Sequence, residues 1–321
     1  MRVAVLRGGR SSEHEVSLRS GASVAAGLLE AGHEPVDVVI ERDGRWLCDG
    51  AEVELRAAAG LLGCDVAFPV LHGPFGEDGT VQGLLECLDV PYVGPGVLAA
   101  AVTIDKLVFK RLLRERGIAQ VDFCQAGEEG WRGRAAALGL PVWVKPSRLG
   151  SSVGIIRVDE PAALDAAVGT ALEHDPRVII EAHCEGLEVE CSVIGNDLPE
   201  TSLPGRLVVN ADWYDYEAKY EPGGMDLVVP APIGAEAIAR VRELAADVYR
   251  SCGCTGLARC DFFVTGDGKV LVNELNTIPG FTETSVFSKL FEATGLPYPG
   301  LCDRLVELAL ERHESERSYR Y

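Results

Sequence analysis

The 321-residue sequence predicts an α/β amino-terminal part followed by α+β segments, and three observations carry that prediction. A strand–helix–strand pattern opens the chain, a later strand runs into a glycine-rich polar loop, and after Gly94 helices alternate with short paired strands. Val3 to Leu6 is a short apolar run closed by Gly8-Gly9, Ser17 to Glu30 has helical texture, and Pro35 to Ile40 reads as the second strand. The strand Val66 to Leu71 leads into His72-Gly-Pro-Phe-Gly-Glu77-Asp-Gly79, more polar than plain turn chemistry requires. Ligands bind at loops on the carboxyl ends of parallel strands, so this loop is a candidate site.

From Gly94 onward the texture is that of a smaller module. A helix over Asp105 to Arg116 precedes a strand at Val142 to Lys145, a Gly/Ser loop, a strand at Val153 to Val158 and a helix over Pro161 to Glu173. Arg177 to Glu181 and Glu188 to Ile194 read as strands. Ile238, Val241, Leu244, Ala245, Val248 and Tyr249 fall on one helical face, and another amphipathic helix follows Leu301. The length gives a soft prior of two domains, with three small ones possible, and the texture breaks near Gly94 and Glu185.

Composition narrows the function. With 47% hydrophobic and 25% charged residues the chain is an ordinary folded protein, not a disordered, collagenous or disulfide-stapled one. A net charge of −19 repels a phosphate backbone, which argues against nucleic acid or an anionic membrane as partner. Any phosphate ligand must be held locally. The apolar stretch Val90 to Ile104 is interrupted by Pro91 and Pro95 and falls short of the roughly 20 residues a bilayer span needs. No secretory apolar core stands at the start, and the ten scattered cysteines read as thiols of a reducing compartment, so a cytoplasmic location is expected. Cys252-Gly-Cys254 lacks the second Cys/His pair that a zinc site needs.

Five segments are candidates for chemistry. Gly256 to Asn276 reads as a hairpin turning at Asp267-Gly268, so paired positions sum to 535; Asp261 then faces Glu274 and Arg259 faces Asn276 on one side. Opposed carboxylates repel unless something neutralises them, and a Mg²⁺ site wants oxygen donors converging in this way. The alternative is a solvated polar hairpin face. Lys145 before Gly150-Ser151-Ser152-Val-Gly154 suits a phosphate cradle, in which small residues let backbone N–H groups approach, although a plain hairpin turn fits the same residues. Glu13 and Glu15 follow Gly8-Gly9 without dinucleotide spacing, and are either site residues or first-turn acids complementing a helix dipole. His72 alone has a loop role as its default. Tyr214-Asp-Tyr-Glu-Ala-Lys219-Tyr220 reads as a ligand lid or a packed surface loop.

In order, these segments resemble the D-alanine:D-alanine ligases of the ATP-grasp superfamily over nearly the whole chain. The carrying residues are Gly8-Gly9-x-Ser-x-Glu13-x-Glu-Val-Ser17, His72-Gly-x-x-Gly-Glu77-Asp-Gly-Thr-Val-Gln82, Asp105-Lys106, Lys145-Pro-x-x-x-Gly-Ser-Ser-Val-Gly154, the Tyr214 to Tyr220 segment, Arg259-x-Asp261 and Glu274-x-Asn276-Thr-x-Pro-Gly280-x-Thr-x-x-Ser285. The resemblance implies an ATP-grasp fold in three domains, an amino-terminal Rossmann-like α/β domain (1–94), a central subdomain (95–185) and a carboxyl-terminal catalytic domain (186–321), in a cytoplasmic homodimer that joins two D-alanines through an acyl phosphate for peptidoglycan.

It further implies ATP and two Mg²⁺ (or Mn²⁺) ions. Lys106, Lys145 and Lys219 would meet phosphates under the loop containing Ser151 and Ser152; Glu181 with the backbone of Ala182 and Cys184 would hold adenine, and Glu188 the ribose. Asp261, Glu274 and Asn276 would hold the metals. Glu13, Ser151 and Tyr220 would hold the first substrate, and His72 would be a further substrate-binding residue; Arg259 and the Gly280 amide would face the oxyanion, and Ser285 with Val286 the second substrate. Val286 stands where Leu or Met is usual, Ser288 where Pro is common, and Trp213 where Phe is frequent. Two other readings stay open, a D-lactate or D-serine acceptor and a non-catalytic nucleotide sensor, which would be expected to lose the metal ligands or Arg259.

Overall fold

The computed structural model describes residues 1–150, 153–209 and 225–319. Three sheets organise them. In the first, β1 (Arg2–Gly8) runs parallel to both β2 (Glu34–Ile40) and β5 (Val66–Pro69), as a strand–helix–strand opening requires. A short hairpin, β3 (Trp46–Cys48) and β4 (Ala51–Glu52), extends the β2 edge. Helix α1 spans His14–Glu30, one turn earlier than the expected Ser17 start. Ser17 is no cap: its buried hydroxyl accepts from Gly8 N at 2.8 Å and donates to the Val70 carbonyl, tying the helix to two strand ends.

Helices α2 (Thr80–Leu88) and α3 (Val97–Ile104) lead to α4 (Lys106–Glu115), whose N-cap Asp105 accepts from the amides of Leu107 and Val108. The second sheet has the order β6 (Phe123–Gln125), β9 (Val178–Ala182), β7 (Val142–Pro146), β8 (Ile156–Val158), all antiparallel. Helices α5 (Trp131–Ala137) and α6 (Leu164–Leu172) cover one face, burying Val142, Val144, Val158 and Ile180. Strand β8 is shorter than the expected Val153 to Val158. Gly154 is left-handed at φ +69°, and a Cβ there would lie 2.7 Å from His174, so the extended strand starts only beyond it.

The third sheet has the order β13 (Met225–Val228), β12 (Gly205–Val209), β10 (Leu187–Gly195), β14 (Gly256–Val264), β15 (Val270–Asn276), with β11 (Glu200–Thr201) beside β10. Helix α7 (Ala235–Ser251) packs Val241, Leu244, Ala245 and Val248 against Val189, Cys191, Cys260, Phe262 and Leu275. Helices α8 (Val286–Ala293) and α9 (Tyr298–Arg317) close the chain; α9 packs beside α1 and joins the first sheet to the third through Leu301, Leu305 and Val306. Cys252 and Cys254 lie in the α7 core, and all ten cysteines are free thiols. No helix among the described residues is long and apolar enough to cross a membrane.

Candidate active site

The β14–β15 hairpin pairs Asp261 with Glu274 and Arg259 with Asn276, as expected, but not by the expected turn. The loop has three residues, 266–268, between Thr265 and Lys269: Thr265 N donates to Lys269 O at 3.0 Å, and Gly268 takes φ +82°. That loop pairs Val264 with Val270 and Phe262 with Val272, one residue out of the expected register. A β-bulge between the Phe262 and Asp261 pairs then adds Asn273 to β15 and restores the alignment. The extra residue also changes faces. Val270 and Val272 point into the α7 core, and after the bulge Leu275 does so too, while Glu274 and Asn276 turn to the opposite face with Arg259 and Asp261.

On that face the opposed acids are neutralised. Arg259 Nε and Nη2 donate to the two oxygens of Asp261, each at 2.7 Å, and Nε lies 2.8 Å from Glu190 Oε2. Glu190, the cross-strand partner of Asp261 on β10, was not anticipated from the sequence. Asn276 Nδ2 donates to Asp261 Oδ2 at 2.9 Å. Two carboxylates and an amide oxygen are hard donors of the kind Mg²⁺ takes, so the residues fit that ion. No three His, Cys, Asp or Glu side chains converge as a metal site among the described residues.

Helix α4 and the second sheet contribute the basic residues. Lys106, first residue of α4, donates from Nζ to the Leu149 carbonyl at 2.9 Å and stands 3.6 Å from Glu274 Oε2, so it spans from the Gly/Ser loop to the third sheet. Its start is fixed by Asp105, which also takes Ser147 Oγ at 2.7 Å and an ion pair from Arg177. Lys145 on β7 reaches Glu181 Oε2 on β9 at 2.6 Å, and Lys110 reaches Oε1 at 2.7 Å. Burial pushes the Glu181 carboxyl up, but the two ammonium groups outweigh it and bring it down to about 2. Burial also disfavours charge on Lys145, yet Glu181 holds it above the usual lysine range. Lys110 was missed because one turn of helix beyond Lys106 marks nothing by itself; the available signal was that only six of the 30 basic residues are lysines. The Ala182 amide donates to Asp122 O at 2.9 Å, Cys184 is half-buried, and Glu188 is exposed at the start of β10.

Loops of the first sheet complete the site. Glu13 is buried, and side chains at Gly73 or Gly150 would stand 3.0 and 3.8 Å from its Oε2, so the carboxylate sits between the two loops. His72 shares a hydrogen bond with Ile278 O at 2.9 Å through Nδ1, and burial holds its imidazole below the usual range. Glu77 accepts from Gly73 N at 2.6 Å and Ile278 N at 3.3 Å; burial, then the Glu13 charge, push it up to about 8. These two residues clamp the Ile278 peptide beside the metal-type donors. Ser285, just before α8, accepts from Thr282 N at 3.0 Å, and a Cβ at Gly280 would meet its Oγ at 3.4 Å; Val286 is half-buried beside it. Ser151, Ser152, Lys219 and Tyr220, with the whole Tyr214 to Tyr220 segment, lie outside the described residues.

The second sheet with Lys145, the adjoining helix α4 with Lys106 and Lys110, and the third sheet with its carboxylates, amide and arginine define an ATP-grasp fold. Family models described as the D-ala D-ala ligase N-terminus and C-terminus match residues 2–61 with 50–95, and 112–307. The chain belongs to the D-ala D-ala ligase family. A D-alanine--D-alanine ligase of Deinococcus radiodurans is 47% identical over 97% of this chain and 98% of its own length. Among solved structures, the D-alanine-D-alanine ligase from Coxiella burnetii matches with a TM-score of 0.90 at 34% identity, covering 99% of this chain and 96% of its own. The VanG D-Ala:D-Ser ligase from Enterococcus faecalis matches with a TM-score of 0.85 at 32% identity, covering 96% and 99%.

Proposed function

We propose that the protein is an ATP-dependent, ADP-forming ligase that joins two D-alanines into D-alanyl-D-alanine for peptidoglycan, and so serves cell-wall synthesis and cell shape. The carrying observation is one sheet face holding Arg259, Asp261, Glu274 and Asn276 with Lys106 3.6 Å from Glu274. The carboxylate of the first D-alanine attacks the γ-phosphate, giving an acyl phosphate and ADP; the amine of the second attacks that carbonyl, and phosphate leaves. Phosphoryl transfer asks mostly for positioning and charge neutralisation, which Lys106, Lys145 and Lys219 supply. Two Mg²⁺ (or Mn²⁺) ions, held by Asp261, Glu274 and Asn276, would add charge neutralisation at the phosphates.

Glu13, with Ser151 and Tyr220, holds the ammonium of the first D-alanine, and His72, fixed against Ile278, is a further substrate-binding residue. Arg259 and the Gly280 amide stabilise the oxyanion of the tetrahedral step. Ser285 holds the carboxylate of the second substrate and Val286 shapes its pocket. Glu181, Ala182 and Cys184 line the adenine end, Glu188 the ribose, and the loop of Ser151 and Ser152 covers the phosphates. The three segments 1–94, 95–185 and 186–321 act as domains in a cytoplasmic homodimer. The test is incubation with ATP, Mg²⁺ and each of a panel of D-amino and D-hydroxy acids, with products read by mass. D-Alanyl-D-alanine and ADP in equal amounts support the reading. D-Alanyl-D-serine or an ester as the main product from mixed acceptors overturns the acceptor, and no ADP overturns the activity.

A further inference from the structure

Glu181 is held by two lysines of unequal freedom. The Lys110 side chain is 1% exposed, donates to the Val121 carbonyl at 3.3 Å and lies 5.7 Å from the Phe123 ring centroid, so it is fixed in the interior. The Lys145 side chain is 16% exposed, on the cleft side of β7, away from the core formed by Val142 and Val144. Glu181 itself is 4% exposed. If Lys145 were its sole counter-ion, any phosphate drawing Lys145 away would strand a buried carboxylate, a costly outcome. We propose that Lys110 is a positioning residue, the standing counter-ion of Glu181, and that it frees Lys145 to move to a nucleotide phosphate. Burial, with the nearby Lys145 charge, disfavours charge at Lys110, whose ammonium is held below the usual lysine range despite Glu181.

The inference rests on the nucleotide reading above, and its test separates the two. Binding of the non-hydrolysable ATP analogue AMP-PNP with Mg²⁺ is measured by calorimetry for the wild type, Lys110→Met, Lys110→Arg, Glu181→Gln and the Lys110→Met/Glu181→Gln double variant. Lys110→Met should weaken binding by about tenfold or more, the cost of separating Lys145 from a nearly buried carboxylate that has no other counter-ion. In the Glu181→Gln background, where no carboxylate retains Lys145, the same change should cost less than about twofold. Lys110→Arg should stay within about threefold of wild type, because the charge is kept. An equal loss in both backgrounds, or none in either, overturns the proposal. A wild type that does not bind AMP-PNP sinks the nucleotide reading and this inference with it. Should Lys110→Met fail to fold, lysine ammonium NMR of the wild type decides, since only six lysines contribute. The Lys145 signal should shift on adding AMP-PNP while that of Lys110 stays; a Lys110 signal that moves as far overturns the idea.

Discussion

Replacing Arg259 should expose how the site holds its own charges. The guanidinium donates twice to Asp261 and lies 2.8 Å from Glu190, and these acids are directly opposed on β14 and β10 with side chains only 12% and 7% exposed. Arg259→Met keeps much of the volume but leaves two nearly buried carboxylates facing each other without the arginine. Removing one partner of a buried ion pair costs about 3–5 kcal/mol, so the urea unfolding free energy at pH 7 should fall by that amount. Adding Glu190→Gln to Arg259→Met removes one of the repelling charges and should recover about 1 kcal/mol or more. Arg259→Lys keeps a charge without the planar fork; it should lose less stability, yet lower turnover by about a hundredfold or more as an oxyanion donor is displaced. A loss below about 1 kcal/mol in Arg259→Met would refute the reasoning, given the burial of both acids. So would a Glu190→Gln change that costs as much in that variant as in the wild type.

Three further outcomes are expected. Glu274→Gln should abolish ligation while leaving unfolding close to wild type, because volume is kept and one charge is lost; unchanged turnover at saturating Mg²⁺ would contradict the metal assignment. Glu181 is held down at about 2 against an ordinary value of 4.5, so its contribution to stability is full above pH 4.5 and is lost as pH falls toward 2. That is about 3 kcal/mol, which the wild type should lose on acidification and Glu181→Gln should not; parallel acid-unfolding curves for the two would argue against it. Ser285→Ala should raise the KM of the second D-alanine much more than that of the first, and equal rises in initial-rate kinetics would remove Ser285 from the acceptor side.

The sequence by itself determined the parallel opening of the first sheet, the antiparallel hairpin near the carboxyl end and the loops that carry polar residues at strand ends. Local periodicity and turn residues encode these directly. It also placed Asp261 opposite Glu274, although through a two-residue turn that the chain does not make. Tertiary structure decided the rest of that alignment. The three-residue loop sets one register, and the bulge at Asn273 sets another, because Leu275 gains more from the α7 core than Glu274 could, and a one-residue slip exchanges the two faces. Partners distant in sequence were likewise beyond local pattern: Lys110 with Glu181, Arg259 with Glu190, and His72 and Glu77 with the Ile278 peptide. A motif states which groups a strand or loop presents, but only the packing of one sheet against another fixes which charge each of them meets.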